Sequence, residues 1–110
     1  MKTLKFRAKL IEKMKKGEKF VTWRLFDDKD LQEGERIELI NWEAGKKEGE
    51  ATIINLKEKK FKELTEEDKE GHEKFESDEE MYETYSKYYA APIDENTSLK
   101  IIRLGEFSFI

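Results

Sequence analysis

The sequence predicts an α+β fold, a mostly antiparallel β-barrel with helices packed against it, built as one domain over residues 1–110. Three observations carry this. A helical stripe near the N-terminus gives way, just after Gly17, to a period-two alternation. The glycine-containing run Ala44-Gly45-Lys46-Lys47-Glu48-Gly49 joins two strands as a hairpin loop. A capped helix starting at Ser77 is followed by Pro92 and a polar cluster that leads into a last strand. No internal repeat, linker or low-complexity tail divides the chain, and its 110 residues are enough for a modest core. Barrel closure removes exposed strand edges, which predicts a monomer.

Each element has a local reason. Between Arg7 and Lys16, Leu10, Ile11 and Met14 form one apolar stripe with charge elsewhere, and Gly17 supplies the residue that commonly ends a helix. From Phe20 to Phe26, Val21, Trp23 and Leu25 point one way, and Phe20, Thr22, Arg24 and Phe26 the other. Thr65 and Asp68 cap a short acidic helix that Gly71 stops. Ser77-Asp78-Glu79-Glu80 reads as a capping box, and Met81, Tyr82, Tyr85, Tyr88 and Tyr89 form an apolar stripe that packs this helix on the barrel. Asp94-Glu95-Asn96-Thr97 continues the loop into the last strand. Trp23 and Trp42 are expected in or beside the core, with one wall of a base pocket as their alternative place.

Composition removes several function classes. With no cysteine and one histidine, the chain has no disulfide framework, no structural zinc and no Cys-His catalytic pair, so neither metal nor other cofactor is expected. No apolar run is long enough to span a bilayer and no signal-peptide pattern opens the chain, which predicts a cytoplasmic protein without a membrane partner. The charged fraction is 44%, rich in Glu and Lys, a bias that hyperthermophile proteomes share. The net charge of -4 is unevenly spread. Acid concentrates between Glu63 and Glu83, while Lys2 to Lys19 and the cluster Lys57, Lys59, Lys60 and Lys62 are basic. Brought together, those segments form a positive face; apart, they are solvated surfaces.

The candidate site is Gly17-Glu18-Lys19-Phe20-Val21-Thr22-Trp23-Arg24, where a lysine, a hydroxyl and an arginine meet at a helix-to-strand junction. Thr22 and Arg24 share a strand face; the direction of Lys19, in the turn, cannot be read from parity. Two readings stand on these residues alone. One is a ligand cleft with Gly17, Lys19, Thr22 and Arg24 in its wall. The other is a solvated lysine followed by the exposed face of a half-buried strand.

The pattern Gly-x-Lys-x-x-Thr-x-Arg after an N-terminal amphipathic helix resembles the signature of the ASCH domain family, whose fold is a PUA-like β-barrel. Other landmarks occur in the family's order. Gln32 to Ile40 is similar to its acidic-glycine turn and strand, Glu50 to Leu56 to its next strand, and Leu64 to His72 to its short helix. Ser77 to Ala90 and Leu99 to Leu104 match its longer helix and closing strand. The resemblance, to a small stand-alone member, spans nearly the whole chain.

The resemblance implies that RNA or a nucleoside-type ligand is held in a cleft between the barrel and the first helix. It also implies a second possibility, a metal-independent amidohydrolase that deacetylates N(4)-acetylcytidine, or a ribonuclease. The catalytic lysine and threonine of the family then fall on Lys19 and Thr22, and its downstream glutamate on Glu73, with Glu70 and His72 as neighbouring alternatives. A threonine hydroxyl needs an adjacent base, and a lysine serves only if desolvation or a positive neighbour such as Arg24 lowers its pKa. Two features depart from the family pattern: Phe20 and Trp23 flank Thr22 with bulk, and the chain is slightly longer between the middle helices.

Overall fold

The structure is a computed structural model that describes residues 1–110. In chain order its elements are β1 (Thr3–Phe6), α1 (Ala8–Lys15), β2 (Val21–Arg24), β3 (Arg36–Asn41), β4 (Lys46–Lys60), α2 (Glu66–Lys69), α3 (Asp78–Tyr89) and β5 (Ser98–Phe109). The strands form one sheet in the order β1-β3-β4-β5-β2. Only the β1–β3 pair is parallel; the other three are antiparallel. Register shifts between Leu39 and Ile40, between Glu50 and Thr52, and between Ile53 and Asn55 mark bulges, which bend strands and increase their twist. The sheet thereby curls into the predicted barrel-like form. Its edges, β1 and β2, share no backbone ladder, so the predicted removal of strand edges is not achieved by hydrogen-bonded closure.

Two cores lie on opposite faces of β5. Ile102 and Leu104 join Leu4, Phe6, Ile11, Met14, Ile37, Leu39 and Ile53 under α1. Leu99 and Ile101 join Val21, Trp23, Leu25, Phe61, Met81 and Tyr85 under α3. A strand buried on both faces reads as a nearly continuous apolar run, which Leu99-Lys100-Ile101-Ile102-Arg103-Leu104 is. The register Thr22↔Ile102 and Trp23↔Ile101 carries this division into β2. Thr22 therefore faces the α1 core and Trp23 the α3 core. Both are buried, so the reading of Thr22 as a solvent-facing strand residue is corrected.

Several boundaries differ from expectation. β1 was not foreseen, because Thr-Leu-Lys-Phe is too short to show a period and its partner lies far along the chain. The hairpin turn is confined to the residues before Lys46, so Lys46 to Gly49 belong to β4. β2 stops at Arg24 because Phe26 has left-handed backbone at φ 53°. Trp42, placed by expectation in or beside the core, is 55% exposed, as is Tyr88 of the α3 stripe. The α2 cap follows expectation, with Thr65 and Asp68 capping reciprocally, whereas at α3 only half of the expected capping box forms, Ser77 Oγ accepting from Glu80 N.

Candidate functional site

Gly17, at φ 76°, ends α1 in the left-handed conformation that favours glycine, and the chain turns towards β2. Lys19 follows and is only 2% exposed. Its Nζ donates to the Val21 carbonyl at 2.7 Å and to Glu73 Oε2 at 2.7 Å. An ammonium has three donors, so one remains uncommitted. Burial lowers the Lys19 pKa, and Arg24 and Lys13 add to that, while Glu73 opposes it. Burial pushes the Glu73 carboxyl up, but His72 and Lys19 outweigh this and hold it below its ordinary value.

Gly71 is what brings residue 73 to residue 19. Its carbonyl accepts from both Phe20 N (3.0 Å) and Val21 N (3.1 Å), fastening the segment after α2 to the start of β2. Its φ is 81°, and a Cβ there would collide with the Phe20 ring. Of the three downstream candidates, Glu70 is exposed, whereas His72 and Glu73 both reach the motif.

His72 is stacked on Trp23, with ring centroids 3.8 Å apart and an interplanar angle of 13°. Its Nδ1 lies 2.9 Å from the Glu73 carbonyl, an acceptor, which assigns the proton to Nδ1. Nε2 is then the acceptor for the Tyr85 hydroxyl at 3.0 Å, and lies 3.2 Å from Glu73 Oε2. Burial, followed by the charge of Lys19, lowers the His72 pKa to about 4, so the ring is neutral at pH 7. Trp23 Nε1 is buried without a hydrogen-bond partner, a cost this aromatic stack carries.

Thr22 and Arg24 form a second unit. Arg24 Nε donates to Thr22 Oγ1 at 3.2 Å and Nη2 to the Lys5 carbonyl at 2.8 Å, while its guanidinium lies 4.5 Å from the centre of the Phe6 ring. No hydrogen bond joins Lys19 to Thr22. The structure thus brings Lys19 to Glu73, and Thr22 to Arg24, as two units coupled by the charge of Arg24 on Lys19 and His72.

The second basic cluster is partly paired. Asp68, with no exposed side-chain surface, pairs with Lys57 at 2.5 Å and Lys59 at 2.7 Å. Burial alone would raise its pKa, but those two lysines and Thr65 hold it well below the carboxylate range. Sequence reasoning missed this residue as a charge partner, because nine or more positions separate it from both lysines and only the β4–α2 packing joins them.

No protein-family model matches the chain, and no curated protein does. Solved structures do. An ASCH domain from Lactobacillus crispatus aligns over 94% of this chain and 78% of its own, with TM-score 0.67 and 15% identity. The hypothetical protein PH0355 aligns over 94% and 97%, with TM-score 0.70 and 24% identity. The ASCH protein from Zymomonas mobilis aligns over 94% and 66%, with TM-score 0.69 and 13% identity. The chain has the ASCH-domain fold, as its motif and the order of its landmarks predicted. No helix is long and apolar enough to cross a membrane.

Proposed function

We propose that the chain binds a nucleoside-type ligand at the Lys19, Thr22, Arg24 and Glu73 site. The observation that carries this reading is the burial of Lys19 with an uncommitted N–H. Buried ion pairs are weak contributors to stability, and groups with perturbed pKa values cluster at functional sites. The third N–H is suited to a carbonyl oxygen, the acceptor that pyrimidine bases and acyl groups present. The same observation favours an uncharged ligand over extended RNA. Glu73 neutralises Lys19, Arg24 spends two of its five donors on Thr22 and Lys5, and Asp68 offsets one of the two charges of Lys57 and Lys59. A phosphate chain wants cations left free.

A second reading, amide hydrolysis on such a nucleoside, is favoured by the lowered Lys19 pKa and the direct Lys19–Glu73 contact. Arg24 donates to Thr22 Oγ1, which leaves the hydroxyl's own proton available to a base. Attack by Thr22 Oγ1 on an N-acetyl carbonyl would pass that proton to the Lys19–Glu73 pair. The pair would return it to the leaving amine, and water would then release acetate from the threonine ester. This requires Thr22 and Lys19 to approach on ligand binding, since they are not bonded at rest.

The test is incubation with N(4)-acetylcytidine, cytidine and a short RNA, read by calorimetric titration at two salt concentrations and by chromatography of products. Lys19→Ala and Thr22→Ala run in parallel, with melts to confirm folding. Salt-insensitive nucleoside binding lost in Lys19→Ala supports the site, and cytidine release lost in both variants supports the hydrolase. Steep salt dependence with RNA alone would replace the nucleoside reading with an RNA-binding one. No binding and no turnover with any of the three would refute it.

A further inference from the structure

A groove of about 520 Å³ opens beside Arg24, lined by Phe26, Asp27, Glu58, Thr97 and Lys100 among others. It shares Arg24 with the motif and contains none of Lys19, Thr22 or Glu73. Two features of Phe26 stand out. Phe26 is 65% exposed and adopts φ 53°, where a bulky aromatic is a genuine outlier. Its neighbour Leu25, by contrast, is buried and donates its N–H to the Tyr89 hydroxyl at 3.1 Å. The left-handed turn at Phe26 therefore keeps Leu25 in the core while delivering a phenyl ring to the groove. That ring meets Tyr89 edge to face, with centroids 5.8 Å apart. A glycine would make the same turn without strain.

The polar lining is selective. Asp27 Oδ2 is held by Lys100 at 3.2 Å, which leaves Oδ1 to accept a hydrogen bond. Asp27 and Glu58 are balanced by Arg24 and Lys100, so the lining carries no net charge and offers both acceptors and donors, which suits a base edge bearing an amino group. The volume suits a ligand of nucleoside size. An exposed aromatic ring beside such an acceptor is the arrangement that holds a base by its face and reads its edge.

We propose that this groove is the base-binding subsite and that Phe26 is its stacking residue, with Asp27 reading an N–H of the base. The proposal rests on the nucleoside reading above and assigns the base to the groove that shares Arg24 with the motif. Its signature is a trade of stability against binding. Phe26→Gly should raise the melting temperature by about 4–8 °C, as relief of left-handed strain in a small domain does. It should weaken cytidine binding roughly 5- to 100-fold, as loss of one base stack does. Phe26→Tyr should keep wild-type affinity, and Asp27→Asn should favour uridine relative to cytidine.

The experiment titrates cytidine and uridine into the wild type, Phe26→Gly, Phe26→Tyr and Lys19→Ala, with melts of each. A more stable Phe26→Gly with lost affinity, and a Phe26→Tyr that binds, supports the proposal. Wild-type binding that is lost in Lys19→Ala but unchanged in Phe26→Gly overturns this subsite and leaves the motif reading intact. Absence of binding to the wild type overturns both.

Discussion

Arg24 of β2 donates through Nη2 to the backbone carbonyl of Lys5 in β1 at 2.8 Å, joining by a side chain the two edge strands that share no ladder. The same guanidinium holds Thr22 and covers Phe6. A lysine has no planar fork to make both bonds while lying on a ring. Arg24→Lys is expected to cost about 1.5–3 kcal/mol, the worth of one charge-assisted hydrogen bond. Amide exchange should accelerate in β1 and β2 and stay unchanged in β4. Uniform acceleration across the sheet would show that Arg24 is not the seam.

His72 sets the acid side of the stability profile. Its folded pKa, about 4, lies below its unfolded value, so the unfolded chain binds the extra proton first as pH falls. Stability is therefore complete above pH 6.5, declines from there to pH 4, and has lost on the order of 3 kcal/mol by the end of that window. Below it, the depressed carboxyls of Asp68 and Glu73 add their own losses as they protonate. Urea melts of the wild type and His72→Gln between pH 7 and 4 check this. The glutamine variant should show a markedly flatter slope, and an equal slope in both would place the titration elsewhere.

The Lys19–Glu73 pair is expected to behave as a functional rather than a stabilising feature. Glu73→Gln leaves a buried ammonium without its counter-charge, a loss of about 2–4 kcal/mol once the part exposure of Glu73 is allowed for. The double variant Lys19→Met/Glu73→Leu removes both desolvated charges and should recover most of that loss, because apolar replacement of a buried pair is often neutral or stabilising. Nucleoside binding should be lost in both. A double variant no more stable than Glu73→Gln would show that the pair holds the fold together.

What the sequence disclosed follows from how local each cause is. α1, the capped helices and the closing strand were legible because their caps and periods lie within a dozen residues, as Thr65 with Asp68 and Ser77 with Glu80 show. Lys19 stood out by spacing, but its direction did not, since a turn has no parity. Its partner Glu73 lies 54 residues away, and only the tie of Gly71 to Phe20 and Val21 brings it there. The parity rule paired Thr22 with Arg24 correctly, yet it could not show that both faces of β2 are covered. β1 and the outward turn of Trp42 depend wholly on tertiary pairing and left no local trace.

Gly71 gives a prediction with an internal control. Gly17 and Gly71 both have left-handed backbone, at φ 76° and 81°. A Cβ at Gly17 meets open space, whereas one at Gly71 runs into the Phe20 ring. Gly17→Ala should therefore cost only the conformational term, about 1–2 kcal/mol. Gly71→Ala adds overpacking of about 1–3 kcal/mol and pushes Phe20 away from the segment that carries His72 and Glu73. Loss of that registry should also weaken nucleoside binding, through the displaced Glu73, while Gly17→Ala leaves it intact. Chemical denaturation of the two variants measures the first difference and titration with cytidine the second. Equal destabilisation in both would show that Phe20 yields freely and that Gly71 serves only as a turn.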